Sequence, residues 1–285
     1  KQNPSVTSNN KDYILELFHG PTLAFKDFAA RFMARCTSEI LSKSLDTRTI
    51  LVATSGDTGG AIGEAFLNQK NINVIILFPK NGVSKVQEQQ LCTIGNSRSN
   101  IQAVKVDGTF DDCQQLVKDA FSNKSISKKF SLMSANSINV GRVIPQSFYY
   151  LWSSLQVKAT NPNLPIVYSI PSGNLGNLTG GLIAKKMGAP IDRFVIGNNA
   201  NDPFVRYLKS GHYDPLPSIS TLSNAMDIGR PNNFPRILEL YSNNYDNITD
   251  VCKGFSFSDS ETEIHIKKIF NETGYIMCPH TAVGH

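Results

Sequence analysis

Two stretches of this chain give reactive side chains company that a solvated surface does not require. In the first, Leu17-Phe18-His19-Gly20-Pro21-Thr22-Leu23-Ala24-Phe25-Lys26-Asp27-Phe28, a lysine lies between two phenylalanines, past a Gly-Pro turn and ahead of a helix-like run from Asp27 to Ile40. Apolar neighbours disfavour an ammonium ion and leave the amine available as a nucleophile or base. A lysine that forms a Schiff base wants such surroundings. The same residues also describe a lysine whose stem crosses core aromatics while its charge stays in water. In the second stretch, a β-branched run from Ile166 to Ile170 ends in Pro171-Ser172-Gly173-Asn174-Leu175-Gly176-Asn177, and a helical pattern follows. A strand, a glycine loop and a helix aim consecutive N–H groups and the positive end of a helix dipole at an anion. Many α/β turns use glycine for geometry alone. The dinucleotide fingerprint GxGxxG is absent, and no Gly-Lys-Ser/Thr follows the loop, which removes the Walker A reading. An amine and an anion cradle together suit pyridoxal phosphate, which offers an aldehyde to one and a phosphate to the other.

The elements that must position these residues alternate. The spacing predicts strands over 49–54, 73–78, 101–106, 166–170 and 192–197, and helices over 58–69, 84–92, 110–121 and 139–156. Continuous apolar strands alternating with helices imply α/β architecture with parallel sheets covered on both faces. Ser55-Gly56-Asp57-Thr58-Gly59 joins a predicted strand to a predicted helix. It reads as a second anion cradle, or as an ordinary helix start with Asp57 or Thr58 as the cap. Asn136-Ser137-Ile138-Asn139 with Arg142 puts polar groups at another helix start, where a guanidinium suits a phosphate. Arg142 paired with a surface acid is the alternative.

The net charge of +5 comes from scattered lysines in short pairs, which gives no stripe for nucleic acid. No apolar run is long enough to cross a bilayer. Five widely spaced cysteines without a CxxC pair read as free thiols in a reducing compartment, and no metal cluster is expected. The chain begins with lysine, so a preceding segment is expected.

Six motifs in order, Leu17–Phe28, Ala53–Gly59, Ser134–Asn139 with Arg142, Pro171–Asn177, Leu222–Asp227 with Pro231–Asn233, and Cys278–Gly284, resemble the threonine synthases of fungi and many bacteria. The resemblance covers nearly the whole chain. It implies a two-domain, fold type II pyridoxal-phosphate enzyme similar to tryptophan synthase β. The small domain would span 28–142, and the large one 1–27 plus 143–285, incomplete at both chain ends. It implies that Lys26 holds pyridoxal 5'-phosphate covalently and carries protons. Gly173, Asn174, Leu175, Gly176 and Asn177 would bind its phosphate, and Asp57 would lie near its phenolic oxygen. Ser55 and Thr58 would receive the substrate carboxylate, and Asn139 and Arg142 the substrate phosphate. Ser223, Asn224, Asp227, Asn232 and Asn233 would lie near substrate or cofactor, while His19 and His280 stay outside the catalytic set.

The implied reaction converts O-phospho-L-homoserine and water into L-threonine and phosphate in the cytoplasm, with no metal, membrane or nucleic-acid partner. Monomer and homodimer stay open. Relatives carry a further region whose threonine faces the pyridine nitrogen; this chain, which stops at His285, is expected to be a fragment. The competing readings are a phospho-lyase on a related phosphorylated amino acid, a truncated non-catalytic relative, and an unrelated nucleotide-binding α/β protein.

Overall fold

A computed structural model describes residues 5–9, 12–44, 46–94 and 99–285, with 5–9 and 12 as backbone alone. The chain divides into two compact units, residues 1–145 and 146–285.

The first unit opens with an antiparallel hairpin of β1 (Ser5–Asn9) and β2 (Asp12–Glu16). Then follow α1 (Lys26–Ser42), β3 (Arg48–Ala53), α2 (Asp57–Phe66), β4 (Ile72–Pro79), α3 (Lys85–Ile94) and β5 (Ile101–Val106). The unit continues with α4 (Phe110–Ser122), α5 (Lys124–Lys129) and the short β6 (Leu132–Ser134). Strands pair in parallel in the order β5-β4-β3-β6. Alternate residues of β3 enter different cores: Ile50 and Val52 pack with Met33, Ile62, Phe66 and Leu91, while Leu51 and Ala53 pack with Cys113 and Val117. Both faces of this sheet are therefore buried, as its apolar strands require. The strand order reverses between β3 and β6, and such a switch point at the carboxyl ends of strands is where open α/β sheets bind ligands. The loops after these two strands carry Ser55–Thr58 and Asn136–Arg142.

Helix α4 starts with a reciprocal cap, in which Thr109 Oγ1 accepts from Asp112 N–H while the Asp112 carboxylate accepts from Thr109 N–H. Replacing this threonine should cost about 1 kcal/mol. Thr109→Ala is expected to lower the urea midpoint at unchanged slope; an unchanged midpoint would assign the start of α4 to packing alone.

In the second unit, α6 (Ile144–Thr160) leads to β7 (Val167–Pro171), α7 (Gly176–Lys186), β8 (Arg193–Asn198) and α8 (Pro203–Ser210). Next come α9 (Phe234–Leu240), α10 (Tyr245–Val251), β9 (Cys252–Ser256), α11 (Asp259–Thr273) and α12 (Pro279–Gly284). The three strands pair in parallel as β7-β8-β9. Tyr150, Tyr168 and Phe194 meet edge to face or stacked beneath α7. Among the described residues no helix is long and apolar enough to cross a membrane, and all five cysteines are free.

Two local expectations need correction. The helix expected over 139–156 is broken: a 3-10 turn, Val140–Arg142, precedes α6. Pro145 has no N–H and takes the first turn of α6, where none is needed. The cap of α2 is neither Asp57 nor Thr58 but Gly56, at φ 136°, a conformation that L side chains rarely adopt. Asp57 thereby becomes the first helical residue.

Candidate active site

Lys26 is the first residue of α1 and Asp57 the first of α2. Their side chains meet, with Lys26 Nζ 3.4 Å from Asp57 Oδ2. The two side chains are 15% and 27% exposed, so the pair is sheltered yet reachable. Phe25 is more than packing, because Lys26 Nζ lies 4.8 Å from its ring centroid, within cation–π range. The other Asp57 oxygen, Oδ1, accepts a hydrogen bond from Gln87 Nε2 at 2.8 Å.

Next to Lys26, Asp27 is fully buried. Desolvation pushes its carboxyl up, while hydrogen bonds from Thr22 and the Arg31 charge pull it back. Asp27 accepts from Thr22 Oγ1 at 2.7 Å and from Thr22 N–H at 3.0 Å. The turn before the lysine is thus tied to the first turn of the helix that carries it.

In the loop after β3, the residue that organises the backbone is Thr54, which sequence reasoning passed over for Ser55. The buried Thr54 Oγ1 accepts from the N–H groups of Gly56 at 3.0 Å and Gly59 at 2.8 Å. Ser55, Asp57 and Thr58 stay half-buried at the loop's surface. Asn136 extends the sheet where β6 has ended: its carboxamide accepts from Ala53 N–H and donates to Ala53 O at 2.7 Å. Both polar atoms of Asn139 serve backbone, Oδ1 accepting from Gly141 N–H and Nδ2 donating to Ser134 O, each at 2.9 Å. Arg142 turns inward and is 3% exposed. Its Nη1 donates to Ala135 O at 2.6 Å. Desolvation lowers its pKa to about 10, against the opposing pull of Asp27.

In the second unit the loop after β7 holds Gly173 to Asn177. Leu175 takes the cap position of α7 in the left-handed region, φ 59°, and its apolar side chain makes no cap hydrogen bond. The first-turn N–H groups of α7 therefore have no acceptor on the side chain of the cap residue. Among the described residues, Ser172 Oγ, buried just before this loop, has no hydrogen-bond partner. Buried polar atoms are rarely left so. A hydroxyl donor beside a helix start of this kind is chemically suited to an anion.

The loop is braced on three sides. Asn177 Oδ1 accepts from Tyr149 OH at 2.9 Å and Tyr150 OH at 2.5 Å. Asn174 O accepts from Asn233 Nδ2 at 2.9 Å, and Asn174 Oδ1 from Asn232 N–H at 2.5 Å. A Cβ on Gly173 would fall 2.6 Å from Met226 Cα. Asn224–Met226 are held in turn by a buried network. Asn199 Nδ2 donates to Ser223 Oγ and to Asp227 Oδ1, both at 2.9 Å, and Thr221 Oγ1 donates to Asp227 Oδ1 at 2.6 Å. The segment 222–227 is thus a staple that presses on the glycine loop.

His280 adds to this staple, its Nε2 accepting from Ala225 N–H at 3.2 Å. Cys278, two residues earlier, is exposed and lies 3.3 Å from Thr281 Oγ1. Desolvation raises the thiol, but hydrogen bonds from His280 and Thr281 outweigh it and bring the pKa from 9.0 down to about 7. Thiolate is the reactive form. Iodoacetamide alkylation of Cys278 should therefore rise from acid pH with a midpoint of about 7 and then level off. A rate still climbing at pH about 8.5, like that of an ordinary free cysteine, would contradict the pairing.

A family model described as pyridoxal-phosphate dependent enzyme matches residues 8–285. The chain is 50% identical over 274 residues to the threonine synthase of Haemophilus influenzae, covering 96% of this chain and 62% of that protein. It superposes on the crystal structure of threonine synthase from Escherichia coli with a TM-score of 0.90 at 40% identity, covering 99% of this chain and 64% of that one. For the PLP-bound threonine synthase from Brucella melitensis the TM-score is 0.88 at 34% identity, with 99% and 65% covered. The chain thus spans a little under two thirds of the length of these relatives.

Proposed function

We propose, because this chain belongs to the pyridoxal-phosphate dependent enzymes, that it carries the catalytic core of a threonine synthase. The substrate is O-phospho-L-homoserine; with water it yields L-threonine and inorganic phosphate. The observation that carries this reading is 50% identity over 274 residues to a threonine synthase, a stretch that includes the Lys26–Asp57 pair.

The residues present fit the cofactor. The amine of Lys26 has a sheltered carboxylate partner, and the start of α7 with the buried Ser172 hydroxyl suits its phosphate. When bound, pyridoxal phosphate supplies an electron sink that makes protons on the substrate's α- and β-carbons removable.

In this reading Lys26 anchors the cofactor, then takes and returns protons at the substrate carbons while phosphate leaves the γ-carbon and water adds at the β-carbon. Asp57 would keep the lysine oriented and would face the cofactor on the side of its phenolic oxygen. Gly173, Asn174, Leu175, Gly176 and Asn177 would offer their backbone to the cofactor phosphate. Ser55 and Thr58 receive the substrate carboxylate. Asn139 shapes the turn from which Arg142 meets the substrate phosphate, and the desolvated guanidinium favours an anionic partner. The proposal also keeps a small domain of 28–142 against a large one of 1–27 plus 143–285, and places the enzyme in the cytoplasm, in keeping with its free thiols.

The test is turnover of O-phosphohomoserine by the full-length, cofactor-loaded protein, reading threonine, 2-oxobutyrate and phosphate separately. Threonine and phosphate in equal amounts are expected. Phosphate with 2-oxobutyrate and no threonine would replace the proposal with a phospho-lyase; no phosphate release would refute both.

A further inference from the structure

We propose that Gln87 is a positioning residue for the Lys26–Asp57 pair, holding the Asp57 carboxylate toward the amine. This rests on the reading of Lys26 as the cofactor lysine and goes one layer beyond it.

Gln87 lies in the first turn of α3, three residues after Ser84. Ser84 Oγ accepts from Gln87 N–H at 3.2 Å, and Gln87 Oε1 accepts from Ser84 N–H at 3.0 Å. This is a reciprocal capping box of the S-x-x-Q kind. Because the carboxamide oxygen is committed to a backbone donor, the Nε2 group has to face the other way. It donates to Asp57 Oδ1 at 2.8 Å. The opposite oxygen, Oδ2, faces Lys26 Nζ at 3.4 Å. One helix cap therefore sets the orientation of an amide, and the amide sets a carboxylate.

Gly56 makes the contact possible. At φ 136° it takes the cap position of α2, and a Cβ there would fall 2.4 Å from the Gln87 carboxamide. The loop thus has room for that carboxamide only because glycine stands there. The amide N–H can only donate to the carboxylate, so the contact fixes which oxygen of Asp57 is turned toward the amine. A hydrogen bond to a charged group is worth about 1.5–3 kcal/mol, so losing one that orients a working carboxylate costs about tenfold or more.

Gln87→Glu separates this role from helix capping. S-x-x-E is also a capping box, so α3 keeps its start, while the donor that faced Asp57 becomes an acceptor. Two carboxylates in contact resist ionising together. In the full-length holoenzyme, kcat at pH about 8 should fall about 10- to 100-fold, the range for loss of one charge-assisted hydrogen bond. It should recover in part toward pH about 6, as a shared proton restores a donor. The pH midpoint of the cofactor absorbance band should move upward, because added negative charge favours the protonated form. The melting temperature should stay near that of wild type, whereas Gln87→Ala, which removes the cap as well, should lower it.

If Gln87→Glu matches wild type in rate, pH profile and absorbance midpoint while Gln87→Ala melts early, the residue serves the cap alone and the proposal fails. A wild-type protein that shows no cofactor band would overturn the reading of Lys26, and this inference with it. The two failures are distinguishable in one set of spectra.

Discussion

Lys26→Ala is expected to cut threonine formation by at least about a thousandfold, since on the proposed reading one substitution removes the anchoring amine and the proton carrier together. The fold should survive. Lys26 begins α1 rather than interrupting it, and the buried stretch of that helix, Ala29, Ala30, Met33 and Ala34, is untouched. Alanine is also a good helix former. The change does leave Asp57 without its cation, but that carboxylate keeps its hydrogen bond from Gln87 and is 27% exposed. Circular dichroism and melting should therefore change little. Lys26→Arg divides the remaining possibilities. It retains a positive charge opposite Asp57 yet offers no amine that can lose its proton. If electrostatics alone mattered, arginine would rescue the rate; with the amine as the working group, it should be as inactive as alanine. Turnover of Lys26→Ala within tenfold of wild type would remove the lysine from the mechanism.

Gly173→Ala should damage the glycine loop of the second unit directly. The added Cβ would lie 2.6 Å from Met226 Cα and 2.8 Å from Met226 O. Both are backbone atoms, and the segment that carries them is tied down through Ser223, Asp227 and His280. Neither side can yield cheaply, so the glycine loop has to move off its line. Displacing one or two N–H donors from a phosphate forfeits about 1.5–3 kcal/mol for each charged hydrogen bond. Cofactor affinity should fall about 100-fold, read by fluorescence titration of the cofactor-free protein. A lower melting temperature without cofactor should accompany it, because the clash exists in the empty loop as well. Gly188→Ala is the internal control, for a Cβ there meets nothing within 4 Å, although its φ of 98° adds local strain. If Gly173→Ala binds cofactor as wild type does, the loop is not the phosphate cradle.

The parts of the candidate site written in contiguous residues could be singled out from the sequence. Lys26 stood out through its aromatic neighbours, and 173–177 through a strand, a glycine turn and a helix in series. The sheet of the first unit was legible for a related reason: strands buried on both faces are apolar throughout, as Ile50–Ala53 are. What lay hidden depends on contacts between distant positions. Lys26 and Asp57 are 31 residues apart, and Asn199 and Asp227 are 28 apart, so no local spacing announces either pair. Thr54 and Ser55 are adjacent hydroxyls, and only the direction in which β3 ends decides which one is buried. Short β6 and glycine-containing β9 fall below the length and apolar content that periodicity can detect. The break before α6 and the box around Gln87 were different in kind. Pro145 was visible as a helix-start signal and was outweighed by the apolar pattern around it, whereas Ser84 did open a predicted helix and only the reach of Gln87 to Asp57 stayed hidden.

The central claim is that one amine, Lys26, takes the cofactor's aldehyde. It is tested most directly by loading the full-length protein with pyridoxal phosphate, reducing with borohydride and mapping the modified peptide by mass spectrometry. The expected result is a single stoichiometric adduct on the peptide containing Phe25-Lys26-Asp27. Modification of a different lysine, or none at all in a protein that still releases phosphate from O-phosphohomoserine, would contradict it.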